Sequence, residues 1–513
     1  MLKSSTIWIA FALYMCFLIG IAMYVTMKER RESGSENLLT ASIPWPILVM
    51  TYIASLMSTW VFFAGPGAYY RGGMGYWLSE MSYIALFPII CHFTMNKVWV
   101  INKIRNFTTP ADFYYERFKS PALRTVLGII FLGASFPYIA SVLVAIAKAA
   151  NIATGGEMSY TMVVIAVGLI MTVFVTIGGV KSAATADTIQ GLLFIGGLWA
   201  IVIACLVVGF GGSLSDAVSA IKVNTASFFS YPGPDGWVPY SGRFGYPFAC
   251  AIGWTIMLPH VFVRSGYFGD NLKTQRTLSY LTPALQAFVW TGTMLIGLVG
   301  IALAPGLPTG DTELIIPYMI NNFVLAYNAD LAVVLMIGFF VGATAVGLST
   351  ANAFLSVASS IVSEDIIKNT FKIKVAPEKQ VIVNRCVIAA IGIAGTLIAI
   401  NPPQLIFTMI MFSIAIVMPL FPILVFGIYW KKATKQAALI SAIVGTIVVL
   451  MTYFVWGIGY TWYGAIGMLA STVLMVVVSL ATSQDSKESQ SFYEALEQGE
   501  NMYYEVDEQE VSA

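Results

Sequence analysis

The chain is a succession of apolar runs separated by short polar stretches. Runs of about 20 residues recur along nearly its whole length, and each, as a helix, spans roughly 30 Å of hydrocarbon. Thirteen can be marked, at about 5–27, 46–70, 77–96, 122–147, 159–178, 184–211, 245–263, 280–304, 330–361, 380–400, 404–429, 437–457 and 460–482. The pattern predicts an all-α integral membrane protein. The runs at 184–211 and 330–361 are longer than a perpendicular crossing needs, which implies tilt or an extension beyond the bilayer. One run differs in kind. Residues 51–68, TYIASLMSTWVFFAGPGA, crowd Ser, Thr, Gly and Pro into a membrane-length segment. Small residues of this sort let two helices pack closely. They also mark helices that loosen near the midplane and bare carbonyl oxygens, which are good ligands for a small hard cation.

Composition agrees with the pattern. The 513 residues are 58% hydrophobic and only 10% charged, against roughly 25% charged in a soluble domain. The placement of the charges is more telling than the net value of +1. With the N-terminus outside and thirteen crossings, 22 of the 27 lysines and arginines fall on the cytoplasmic side and 5 outside, a strong positive-inside bias. The expected place is therefore the cell membrane, multi-pass, with the N-terminus outside and the C-terminus cytoplasmic. The first run lacks a basic leader beyond Lys3 and a small-residue cleavage site, so it reads as a retained helix. The acidic tail after 483 reads as disordered or as a short surface helix.

Enzyme chemistry finds little support. The five cysteines are scattered, and His92 and His260 have no Cys, Asp or Glu at ligand spacing. Walker-type, dinucleotide and Gly-x-Ser-x-Gly motifs are absent from the sequence, which weighs against an ATP-driven pump or a membrane enzyme. No nucleic-acid partner is expected. The outer loop 212–244 contains the turn-rich YPGPDGWVPYSG, and 312–327 reads as an amphipathic helix packed on the outer surface.

Polar residues inside apolar runs are costly and tend to face a bundle interior or cavity. Four places stand out. The first is Ala54–Thr59, with Ser55, Ser58 and Thr59. The second is 342–365, where Ser349, Asn352, Ser356, Ser359 and Ser360 recur at helical spacing beside Thr350. Those hydroxyls serve either as interhelical glue or as oxygen ligands. The third is Asp187, either a salt-bridged interfacial acid or a functional one. The fourth is Glu80, at an interface or lining a cavity. Internal symmetry adds to this. The ten runs from 46 to 429 divide into two sets of five, each opening on an interrupted segment, the second being RFGYPFACAIGWTIMLPHVFVR. An odd number of crossings per set inverts the second set in the membrane, the arrangement in which paired broken helices mark a transporter's binding site.

The strings ASLMSTWVFFAGPGAYYRGGMGYW, FTTPADFYYERF, GGVKSAATADTIQG, LPHVFVR, GLSTANAFLSVASSIVSEDIIK, NPPQLI and FGIYWKKATKQAA, in this order, resemble the sodium/solute symporter family over roughly residues 5–480. PGAYYRGGMGYW, STANAF and NPPQLI look most like its sodium/pantothenate permease branch. The resemblance implies the inverted five-plus-five repeat of the leucine-transporter fold and sodium-coupled import of a small organic solute (vitamin, carboxylate or amino-acid-like) by alternating access. A sodium-dependent sensor on the same fold is the alternative. The implied layout is an extra helix and loop at 1–45, a first repeat at 46–211, an outer loop at 212–244, a second repeat at 245–429, two further helices at 430–482 and the tail at 483–513.

Carried over by position, the resemblance implies one Na+ held by the carbonyls of Ala54, Met57 and Val346 and the hydroxyls of Ser349 and Thr350. Some members hold a second ion, for which Asp187 matches the acid. The accompanying hydroxyl positions are Asn352 and Ala353 here, which favours one sodium over two. The implied substrate pocket is lined by Ser58, Thr59, Trp60, Phe63, Glu80, Tyr138, Trp254 and Gln286, with Leu56. Leu56 stands where proline-transporting members carry an acid, and Leu56 with Val61 departs from the sugar-transporting pattern. No Lys or Arg lies mid-span to pair with a carboxylate, and Glu80 favours an amine or hydroxyl, which sits awkwardly with pantothenate.

Overall fold

The structure is a computed structural model that describes residues 3–33, 43–177, 180–234, 236, 252–253, 256–402, 405–458, 462–483 and 486–512. Among these, the chain is helical, with one isolated bridge between Ile43 and Gly269 as its only strand-like pairing. In chain order the main helices are α1 (Ser4–Ser33), α2 (Trp45–Met57), α3 (Ala64–Gly72), α4 (Trp77–Ile90), α5 (Asn96–Arg105), α6 (Pro110–Phe118), α7 (Pro121–Ala153), α8 (Tyr160–Ile177), α9 (Val180–Phe210) and α10 (Leu214–Asn224). They continue as α11 (Pro259–Tyr267), α12 (Leu272–Leu303), α13 (Ala329–Ser360), α14 (Pro377–Ile400), α15 (Ile406–Val417), α16 (Leu420–Tyr429), α17 (Lys435–Phe454), α18 (Tyr463–Ala481) and α19 (Ser486–Ser512).

Ten helical stretches among the described residues are long and apolar enough to cross a membrane, and α2 and α8 are shorter apolar helices. The difference from thirteen has identifiable sources. The run at 46–70 is divided between α2 and α3, the run at 159–178 makes only an 18-residue helix, and much of 245–263, including 245–251, lies outside the described residues. The long run at 330–361 continues through a π-helical segment to Thr370.

The centre of the molecule is α13. Its face from Phe339 to Leu355 is buried almost throughout, packed on α7 and α9. Peripheral helices behave oppositely. On α1, Ile9, Leu13 and Phe17 are exposed at spacings of four residues, and Leu469, Val473, Val477 and Leu480 form the same kind of stripe on α18. Exposed aliphatic stripes on helices of this length fit contact with acyl chains rather than water.

Charged ends are tied by a small number of buried pairs. Arg124 bonds Asp112 and, through Nε at 2.6 Å, the fully buried Asp365, so it joins α6, α7 and the extension of α13. The tail departs from the disordered or short surface segment expected from composition. It forms α19, 27 residues long, with Phe492, Ala495 and Leu496 buried. Phe492 packs edge-on against Phe113, Tyr503 meets Trp99 with ring centres 5.0 Å apart, and Lys97 pairs with Glu500. Spacing of Phe492 and Leu496 one helical turn apart supplies the apolar face that the high charge of the tail obscures.

Candidate ion and substrate site

The first membrane run breaks at one residue. Helix α2 stops at Met57, and Ser58 takes φ 58° and ψ −177°. A non-glycine residue with positive φ is uncommon and cannot continue a right-handed helix. A short 3-10 turn, Thr59–Val61, follows before α3 starts at Ala64. The last four carbonyls of any α-helix have no partner inside it. Here they belong to Ala54, Ser55, Leu56 and Met57, all buried. Water is excluded from these oxygens, so the cost of leaving them bare must be met by side chains or a bound ion.

Helix α13 supplies the facing groups. The Thr350 Oγ1 lies 3.5 Å from the Ala54 carbonyl oxygen and donates to the Val346 carbonyl at 3.0 Å. Ser349 is fully buried, and its hydroxyl sits beside the Asp187 carboxylate without reaching hydrogen-bond geometry. Thus Ala54, Val346 and Thr350, assigned together from the sequence, do meet in space, with Ser349 adjacent and Met57 at the helix break. Asn352 is buried with neither side-chain polar atom bonded.

Asp187 is a buried, salt-bridged acid. Its side chain is 1% exposed, and Oδ2 accepts from the Thr51 hydroxyl and from Arg264 Nη2 at 3.3 Å. Arg264 Nε also faces Thr51 Oγ1 at 3.3 Å. The group ties α2, α9 and α11 together directly under the helix break. Sequence reading missed Arg264 and Thr51. The available signal was an arginine inside the string LPHVFVR, in a chain with few charges at membrane depth. A small cavity, of about 10 Å³ and so the size of one water, touches Arg264 and is bordered by Thr108, Ser356 and Ser360.

The expected substrate residues divide into clusters. Trp60 and Glu80 come together, with Tyr69 donating to Glu80 and Tyr76 packing edge-on against Tyr69. Glu80 is fully buried and one of its oxygens has no hydrogen bond. Thr59 reaches toward Gly347, where an added Cβ would stand 3.0 Å from its methyl. Gln286 stands beside Tyr83, which faces Tyr52 at 3.5 Å. Phe63 instead packs on Phe339, with ring centres 5.5 Å apart. Tyr138 packs against Phe354, with ring centres 4.6 Å apart, and edge-on against His260. The Ser58 hydroxyl is buried without a bond. Trp254 lies outside the described residues.

One side of this region is roofed. Phe407 covers Trp60 at 5.2 Å, the Arg71 guanidinium lies 5.8 Å from the Phe407 ring, and Arg71 bonds Thr312. The next residue, Glu313, is fully buried and accepts from the backbone N–H groups of Phe407 (2.9 Å) and Ile406 (3.3 Å) at the start of α15, with Lys148 at 4.0 Å. A carboxylate on a helix N-terminus satisfies orphan donors and the helix dipole at once. Replacing Glu313 by Gln is expected to weaken this closure by about 1–2 kcal/mol. A fall of a few degrees in melting temperature of the purified protein checks it, and an unchanged melting temperature contradicts it.

Comparison with known proteins adds the family. The profile of the sodium:solute symporter family matches residues 38–445. A sodium/pantothenate symporter of Haemophilus influenzae is 25% identical over 437 residues, covering 84% of this chain and 87% of that protein. The osmoregulated proline transporter OpuE of Bacillus subtilis is 23% identical over 514 residues, covering 96% and 98%. Among solved structures, the substrate-bound outward-open state of a Na+-coupled sialic acid symporter superposes with a TM-score of 0.77 at 19% identity, covering 93% of this chain and 98% of that one. The last likeness shows that the two share a fold. The chain belongs to the sodium:solute symporter family, membrane transport proteins whose coupling ion is sodium.

Proposed function

We propose that this chain imports a small organic solute together with one sodium ion, by alternating access in an inverted five-plus-five repeat. One observation carries the reading. The Ala54 carbonyl, in the last turn of α2 before its break, lies 3.5 Å from Thr350 Oγ1, nearly three hundred residues away, in a buried place. The carbonyls of Ala54, Met57 and Val346 and the hydroxyls of Ser349 and Thr350 supply five oxygens, a chemically suitable set for a small hard cation. An ion there bridges α2 and α13, and its departure removes the link. Such a link couples ion binding to the relative position of the two helices.

Asp187 and Asn352 are the residues a second ion would use. The Arg264 guanidinium already compensates Asp187, which supports one sodium rather than two. The substrate is proposed to sit beyond the ion, beneath the roof of Phe407 and Arg71, against Trp60, Glu80, Thr59 and Gln286. A buried carboxylate with an unbonded oxygen selects a partner that donates, such as an amine or hydroxyl. Two of the relatives named above are described as carrying pantothenate and proline. A vitamin, carboxylate or amino-acid-like solute that also bears such a donor fits the site best. Family membership favours flux over sensing. The proposed layout keeps the N-terminus outside and the basic ends of the helices in the cytoplasm.

A thermal-shift screen of the purified protein against metabolites, in sodium and in potassium, tests the reading. A solute that stabilises in sodium and not in potassium supports it and names the substrate class. Equal stabilisation in both salts contradicts sodium coupling at this site.

A further inference from the structure

A cavity lies away from the ion site, where α16 and α18 end, α17 begins and α19 starts. It encloses about 640 Å³, within the range of sites that hold a drug-sized ligand. One wall carries Lys431 and Lys432 and the other Glu494 and Glu497. Among the described residues, neither lysine has a carboxylate within ion-pair distance. Lys431 instead lies 5.5 Å from the centre of the Tyr493 ring, and Glu494 accepts from Gln490 Nε2 at 2.7 Å. Two cations and two anions therefore face one space without pairing across it.

The position of this cavity narrows the ligand. Three apolar helices end or begin here, at Tyr429, Lys435 and Ala481, so the walls stand at the level where hydrocarbon gives way to headgroups. Leu480 borders the cavity and is 70% exposed. It continues the stripe of Val477 and Val473 up the outer face of α18, a track for an acyl chain. The end of α18 is fixed against the opposite corner, since Thr434 N–H donates to Ser479 Oγ at 3.2 Å and the Thr434 and Thr482 hydroxyls meet at 2.8 Å. On the other side, Tyr493 donates to the Gly427 carbonyl at 3.0 Å and holds α19 in place.

We propose that this cavity binds the headgroup of a zwitterionic phospholipid with a primary ammonium, phosphatidylethanolamine. The lysine wall receives the phosphate and the glutamate wall receives the ammonium, while an acyl chain follows Leu480 and Val477. A purely anionic headgroup satisfies the lysines and is repelled by the glutamates. Basic pockets between helix ends on the cytoplasmic side are established headgroup sites in general. The paired acidic wall is what selects a zwitterion in this one.

The test uses the full chain purified in detergent. Bound lipid is counted by native mass spectrometry after titration with phosphatidylethanolamine, phosphatidylglycerol, phosphatidylcholine or soluble glycerophosphoethanolamine. Variants are Lys431→Gln with Lys432→Gln, and Glu494→Gln with Glu497→Gln, each checked for retained helical content. Phosphatidylethanolamine is expected to bind in preference to the other three. Each double variant is expected to bind it roughly tenfold more weakly or worse, as loss of charge-assisted bonds requires. Equal retention of phosphatidylglycerol or phosphatidylcholine overturns the proposal. So does undiminished binding by either folded variant, or tight binding of the soluble headgroup without a chain, which makes the site one for a free solute.

Discussion

Replacing Ser349 and Thr350 together by Ala is expected to abolish sodium-stimulated uptake. Both hydroxyls are fully buried on α13, and Thr350 faces the Ala54 carbonyl at the end of α2. At the proposed site, each hydroxyl removed deprives a sodium ion of a short-range oxygen in a buried place. Bonds to charged groups are worth about 1.5–3 kcal/mol each, or roughly ten- to hundredfold in affinity. Two such losses carry sodium affinity out of the range a cell supplies. The carbonyls of Ala54, Met57 and Val346 remain, so the fold is expected to survive. Uptake of the identified solute into proteoliposomes, with sodium and with potassium outside, reads the effect. Uptake that keeps its sodium dependence in the double variant places the ion elsewhere.

Removing the guanidinium of Arg264 is expected to have the largest effect on stability. In Arg264→Met the Asp187 carboxylate stays buried with Thr51 as its remaining donor. Breaking a buried pair by deleting one partner costs about 3–5 kcal/mol, because it leaves an uncompensated charge. The double variant Asp187→Asn with Arg264→Met removes the charge as well and is expected to recover most of that loss. Melting temperatures of the single and double variants form the comparison. High sodium is also expected to raise the melting temperature of Arg264→Met more than that of the wild type, since the freed carboxylate attracts a cation. A double variant no more stable than the single one contradicts the pairing as the source of the cost.

Some of this was legible in the residues and some was not. The small and polar residues of 55–67 flag that the first run is interrupted, but the break itself falls at Ser58, while Gly65 and Pro66 sit in the first turn of α3. The hydroxyl face of α13 follows from spacing alone. Asp187 and Glu80 were located as polar residues in apolar runs, but their surroundings were not. Whether a carboxylate sits at an interface or in the core depends on partners far along the chain. Thr51, Arg264 and Tyr69 are those partners, and no periodicity in one sequence joins 187 to 264. The roof formed by Arg71, Glu313 and Phe407 is hidden for the same reason. Composition obscured the docking of α19, since a high charge reads as a solvated segment even when Phe492, Leu496 and Tyr503 line one side.

The buried arginine borders a small polar space. The one-water cavity at Arg264 is bordered by Ser356 and Ser360, one and two turns from Asn352 on the same helix.

The most direct test of the account is equilibrium binding of radioactive sodium to the purified protein. The account predicts saturable binding of one ion per chain, lost when Ser349 and Thr350 are replaced by Ala and kept when Asn352 is replaced by Ala. Two ions per chain in the wild type, or one ion retained by the Ser349→Ala, Thr350→Ala variant, contradicts it.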